Sequence, residues 1–366
     1  MDKLDKNISI YTFEGLTEGR GQDTYNIFEE DIEGINIKAF GLYNGHGSKG
    51  KECSKYVSDA IEKLISENKN ELKNLGSKGD SKEQITKIFV DGFKKIQNGM
   101  KDLENCHFEL SGSTATIALI INNKVCYIIN IGDNIAIIGR KSNTKNEPIQ
   151  LNKIHDVTEN KDELERIKNN GGEVRCNNTS IRCSNNSTFM RIYFKGDPFY
   201  PGLTISRSLG DLYSHDLISD EPEISVHTLE KEDGFIFLGT FPFWQYMSSQ
   251  EVVDFIYKKI NENSELKNSI AEEVVKECRK IWSKINKKKD IKIFEEIKNA
   301  PKLDNDAKNE EIRRFINNIE NFASLDPEHK KIVDIPPMDK INPDEIFHGN
   351  HNILDITCII YFFGNN

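Results

Sequence analysis

The order of strand-like and helical segments predicts a layered α+β fold, with antiparallel sheets that carry helices on their outer faces. Three observations lead there. Strand-like runs come in groups rather than alternating one by one with helices, which argues against a parallel doubly wound sheet. Two β-branched runs are joined by a short polar link, the signature of a hairpin and so of antiparallel pairing. Between the strand groups lie stretches with apolar residues at helical spacing, each suited to covering a sheet face.

Taken in order, Ile35 to Leu42 alternates and then turns apolar, as a strand entering a core does. Lys51 to Glu67 sets Val57, Ala60, Ile61, Leu64 and Ile65 on one helical face, and Gln84 to Met100 repeats the pattern. Thr114 to Ile121 and Val125 to Ile131 form the predicted hairpin around Asn122-Asn123-Lys124. Ile135 to Ile138 follows the turn residues Gly132-Asp133-Asn134. Gly171-Gly172 after Leu164-Glu165-Arg166-Ile167 reads as a helix stop. Later strands are expected at Ile224 to His227, Gly234 to Gly239 and Asp355 to Phe363, with Val252, Val253 and Phe255 on a helix facing the core.

Residues 256 to about 345 differ in composition. They are rich in Lys, Glu and Asn, with helical periodicity at Ile270 to Ile285 and Glu310 to Ile319, before Pro336-Pro337 and Pro343 break the pattern. The expectation is one domain over 1–366 with a helical insertion at about 256–345. That insertion is the expected contact surface for a protein partner, because such segments vary without disturbing a core.

With 366 residues, 37% hydrophobic and 30% charged, the chain has the balance of a water-soluble globule and enough length to bury a core without staples. No window approaches the ~18 uncharged apolar residues of a membrane span. The N-terminus lacks the apolar region of a secretory signal, and no lipidation signal is evident. A net charge of −10 disfavours a nucleic-acid surface. The short run Lys287-Lys288-Lys289 sits among acids and reads as a solvated helix face. Seven scattered cysteines without a CxxC pair suit a reducing compartment, so an intracellular location, cytoplasmic or nuclear, is expected.

Five segments in order carry chemistry: Gly21-Gln22-Asp23; Tyr43-Asn44-Gly45-His46-Gly47; Gly112-Ser113-Thr114-Ala115 with Ile131-Gly132-Asp133-Asn134; Ser206-Arg207-Ser208-Leu209-Gly210-Asp211; and Glu221-Pro222-Glu223. Together they resemble the motifs of the metal-dependent 2C-type protein phosphatases, from about residue 10 to 363. The resemblance implies a four-layer sandwich, two antiparallel sheets flanked by helices. It also implies two Mg or Mn ions that clamp a phosphate and turn water into a nucleophile at neutral pH.

Holding two dications close together requires several carboxylates. Where the family has a bridging Asp, this chain has Asn44. The Asp-Gly-x-Trp-Asp segment reads Phe241-Pro242-Phe243-Trp244-Gln245. The late Asp-Asn-x-Thr segment reads Leu354-Asp355-Ile356-Thr357, with hydrocarbon at the ligand position and Asp355 one residue late, expected to face the other way. Asp23, Asp133 and the Gly45 carbonyl remain, enough for at most one weakly bound Mg or Mn. The family's phosphate-binding arginine falls at Glu18, which leaves Arg20 as the nearest basic residue. His46 matches the family's general acid but has no metal-bound nucleophile to serve.

The retained residues also have plain structural readings. Gly45, Gly47, Gly132 and Gly210 suit turns of positive φ. Ser206, Arg207, Asp133 and Asp211 suit bracing of loops, His46 a partly buried histidine, and Trp244 a core position. The expected function is a catalytically inactive, phosphatase-like protein that acts as a regulatory or scaffolding binding protein. A weak metal-dependent serine/threonine phosphatase with an altered site is the first alternative. A phosphoprotein-binding module is the second.

Overall fold

The computed structural model describes residues 7–14, 21–76, 82–103, 108–142, 144–176, 190–197, 199–298 and 355–363, and the side chains of 286–298 are outside this description. In chain order the elements begin with β1 (Ile8–Phe13), β2 (Asp23–Ile32) and β3 (Ile35–His46). Glu33 and Gly34, at φ 53° and 82°, close the β2–β3 hairpin, where Ile32 pairs with Ile35. Helices α1 (Gly50–Glu67), α2 (Lys69–Gly76) and α3 (Lys82–Lys101) follow. Next come β4 (Gly112–Ser113), β5 (Ala115–Ile121), β6 (Val125–Ile131), β7 (Ile135–Arg140) and β8 (Glu147–Gln150). The expected hairpin is β5–β6, and its link turns because Asn122 and Asn123 sit at φ 54° and 50°, where Asn is tolerated.

The chain continues through α4 (Lys161–Asn169), β9 (Gly172–Cys176), β10 (Met190–Phe194), β11 (Pro201–Leu203) and β12 (Leu209–Gly210). After β13 (Glu223–Thr228) and β14 (Asp233–Gly239) come α5 (Phe241–Trp244), α6 (Ser249–Glu262) and α7 (Ile270–Lys298), and then β15 (Ile356–Phe362).

One sheet has the order β1-β15-β14-β7-β8. The other runs β12-β4-β3-β5-β6-β13, with β2 also on β3. Every ladder in both is antiparallel. Alternation shows how they stack. On β5, Ile117, Leu119 and Ile121 pack with α1 and α3 residues such as Val57, Ile61, Phe89 and Phe93, while Ala118 and Ile120 face the opposite sheet. On β15, Ile356, Cys358 and Ile360 face α6 and α7, while Ile359 and Tyr361 face inward. Both faces are covered, which explains why these strands read as continuous apolar runs. The result is the layered α+β fold that the segment order predicts, with the four layers that the family resemblance implies.

Besides β1, β2 and β8, which the sequence reading did not mark as strands, two larger features differ from it. A third sheet, β11-β10-β9, packs with α4 over a small core of Val157, Ile167, Ile192, Leu217 and Ile218, in a stretch that showed no clear strand pattern. The described part of 256–345 is also no appendage at its start. Ile256, Tyr257, Ile270, Ala271, Val274, Val275, Cys278 and Trp282 are buried against the first sheet, so α6 and the first half of α7 form its outer layer. A capping box, in which Ser248 and Glu251 satisfy each other's backbone N–H groups, starts α6. The periodic stretch Glu310 to Ile319 lies outside the described residues.

Candidate active site

The start of β2 and the end of β3 are antiparallel neighbours, and their register places Asp23 directly opposite Asn44. The Asn44 amide donates to Asp23 Oδ1 at 2.5 Å, and the Thr357 hydroxyl donates to Asp23 Oδ2 at 2.7 Å. Burial pushes the Asp23 carboxyl up to about 7; the Asn44 and Thr357 bonds pull it down, and the Asp355 charge pushes it up. Thr114, from the Gly-Ser-Thr-Ala segment, braces this point. Its N–H donates to the Asn44 carbonyl at 3.0 Å, and its hydroxyl accepts from Asn44 N–H at 3.2 Å and from Asn134 Nδ2 at 3.0 Å.

Asp355 does not turn away, as its one-residue offset suggested. It precedes the β15 ladder, and its carboxylate accepts from the N–H groups of Gly21 at 2.9 Å, Gln22 at 2.5 Å and Asp23 at 3.3 Å. It therefore reaches the segment that carries Asp23, where it meets three backbone N–H groups. Thr357, two residues on, also exchanges bonds with Thr240: its N–H donates to Thr240 Oγ1 at 3.1 Å, and its carbonyl accepts from Thr240 N–H at 3.1 Å. Phe241 follows Thr240 as the first residue of α5 and is half-buried; Gln245 is exposed. Trp244 is half-buried rather than enclosed, donating to the Gly239 carbonyl at 2.9 Å and meeting Phe237 and Phe243 edge-on. Arg20, Glu18 and Leu354 lie outside the described residues.

Gly45 is required for a different reason than expected. It does not adopt a positive φ, as Gly47, Gly132 and Gly210 do; a Cβ there would lie 2.2 Å from the Gly50 carbonyl oxygen. Next to it, His46 Nε2 lies 2.7 Å from Asp211 Oδ2, which also accepts from Ser208 Oγ at 2.5 Å. Gly112 makes this approach possible, since its Cβ would lie 2.4 Å from Asp211 Oδ2. Burial works against a charge on His46, but the Asp211 carboxylate outweighs it and holds the imidazole above its ordinary pKa. His46 Nδ1 and Asp133 Oδ1 are both buried without a hydrogen-bond partner. Burial pushes Asp133 up to about 7, with His46 pulling it down.

Ser206 and Arg207 have a structural role. With Arg166 they converge on Glu163 of α4: Arg207 Nη2 at 2.6 Å, Ser206 Oγ at 2.6 Å and Arg166 Nη2 at 2.9 Å. Burial raises the Glu163 carboxyl, but these partners prevail and bring it down to about 2. Sequence reasoning overlooked Glu163, and quoted Thr114 and Thr357 within their motifs without giving either a role. The polar residues at 355 and 357, two apart at the head of an apolar strand, were the visible signal for the last.

Among the described residues, no three His, Cys, Asp or Glu side chains are grouped so as to hold a metal ion, and no helix is long and apolar enough to cross a membrane. The protein phosphatase 2C family profile matches residues 24–286. The chain is 28% identical over 248 residues to probable protein phosphatase 2C 35 of Arabidopsis thaliana, covering 64% of this chain and 67% of that one. To probable protein phosphatase 2C 27 of Oryza sativa subsp. japonica it is 26% identical over 265 residues, covering 69% and 64%. To protein phosphatase 2C 7 of Arabidopsis thaliana it is 28% identical over 239 residues, covering 60% and 42%. The chain thus spans from 42% to 67% of the length of these relatives. A crystal structure of serine-threonine phosphatase 2C from Toxoplasma gondii shares the fold at TM-score 0.65 and 16% identity, covering 98% of this chain and 94% of that one. With the profile spanning well over half of its length, the chain belongs to the protein phosphatase 2C family.

Proposed function

We propose that this chain is a phosphatase-like protein without phosphatase activity, which works as a regulatory or scaffolding binding protein. The observation that carries the reading is the use made of Asp23. Both of its carboxylate oxygens accept from neutral donors of the chain, Asn44 at the bridging position and Thr357. The residues present do not fit a dinuclear centre. Asn44 brings no charge, Phe241 brings hydrocarbon, and Asp355 accepts from three backbone N–H groups. No hydrolytic step through metal ions is therefore assigned. The partner contact is assigned to the part of 256–345 beyond Trp282, since Ile256, Tyr257 and the buried residues from Ile270 to Trp282 tie the helices before it to the first sheet.

The test is calorimetry with Mn alongside a phosphopeptide turnover assay. Tight binding at two sites together with turnover would sink the proposal. Deleting residues 286–335 while partner binding stays intact would remove the assigned contact surface.

One observation favours a second reading, a weak phosphatase with one cation. Asp133 Oδ1 is buried and lacks a partner, as a ligand waiting for a cation would be. On that reading, replacing Asn44, Phe241 and Leu354 by Asp raises an existing activity modestly; on the first, any activity rises from nothing.

A further inference from the structure

We infer that Asp355 and Thr357, at the head of β15, form a clasp that ties the candidate site together with the chain's own side chains, so that the site keeps its shape without divalent cations. The inference rests on the reading that the dinuclear centre is lost, and it concerns what has replaced that centre.

Three successive N–H groups, from Gly21, Gln22 and Asp23, converge on the Asp355 carboxylate. Such convergent backbone donors form an anion-binding concavity, and bonds to a charged acceptor are stronger than neutral ones. Two residues on, the Thr357 hydroxyl holds the Asp23 side chain, while its backbone groups hold Thr240 at the end of β14. Asn44 completes the ring from β3. The ring therefore joins β2 and β3 of one sheet to β14 and β15 of the other. Bound cations that draw ligands from several strands would perform the same joining. Here hydrogen bonds between residues 332 to 334 positions apart in sequence perform it.

The full chain is tested by thermal unfolding and by peptide-resolved hydrogen exchange, each in EDTA and in millimolar Mn. The wild-type midpoint is expected to be the same in both. Asp355→Ala is expected to lower it by about 3–6 °C in both, because it strands one buried and two partly buried backbone donors. It should also speed exchange of the peptide containing residues 21–23 by about tenfold or more, while the β5–β6 hairpin stays protected. General destabilisation would not single out that peptide. Should Asp355→Ala fail to fold, Asp355→Asn, which keeps one acceptor oxygen, and Thr357→Val carry the same test with smaller shifts. Unchanged exchange at 21–23 in these variants, or a wild-type midpoint that rises with Mn, would overturn the clasp. Phosphopeptide turnover by the wild type with these results intact would overturn only the inactive reading.

Discussion

Two acids, Glu163 buried and Asp23 half-buried, show contrasting environments. Glu163 is met by two guanidinium groups and a hydroxyl, and its carboxyl falls to about 2 despite burial. Asp23 is met by an amide and a hydroxyl, and burial carries it up to about 7. In both places the oxygens are well supplied with donors, but only in one is the charge answered. Neutral donors supply geometry, whereas a cation also offsets the loss of hydration. Arg166 and Arg207 supply the counter-charge at Glu163, whereas the donors at Asp23, from Asn44 and Thr357, are neutral.

The largest test of this contrast is Glu163→Gln. It leaves Arg166 and Arg207 facing a neutral amide in a partly buried setting and should cost about 2–4 kcal/mol in urea unfolding. Little loss would mean that the arginines are solvated and the contrast is overstated. Asn44→Asp comes next: it replaces the donor to Asp23 Oδ1 with a second acceptor, at a cost of about 1–3 kcal/mol without metal. A large recovery on adding Mn would show that the two acids together can hold a cation.

The two acids should also slope oppositely with pH. Asp23 has a folded pKa raised above its unfolded value of 3.8, so its contribution is full below about 3.8 and is lost as pH rises through about 7. Glu163 has a lowered folded pKa, so its contribution is present above its unfolded value of 4.5 and is lost as pH falls towards about 2. Asp23→Asn should therefore stabilise at pH 8 relative to pH 5, as read by denaturant midpoints; no difference between the two pH values would remove the asymmetry. The smallest expected effect is Ser206→Ala, about 0.5–1.5 kcal/mol, because Glu163 keeps both arginines. A loss as large as that of Glu163→Gln would place the weight of the cluster on the hydroxyl.

Much of the scaffold was legible. The β5–β6 hairpin, the two long helices over it and the final strand followed from periodicity, because each buries a full face. β2 was not, since its residues are only part-buried along its length. The strands β9 to β11 were missed because they are short and mostly half-exposed, so tertiary pairing rather than pattern defines them.

At the candidate site, the order of motifs was enough to single out Asn44, Phe241 and Leu354 as departures, because motif positions are a property of the sequence alone. What surrounds Asp23 was decided by the fold. That Asp355 closes on the amides of 21–23, and that Thr357 and Asn44 share Asp23, depends on bringing the two ends of the chain together. A hydrogen bond is satisfied or unsatisfied only by what lies within about 3 Å of it, and strand order, not sequence order, sets those neighbours.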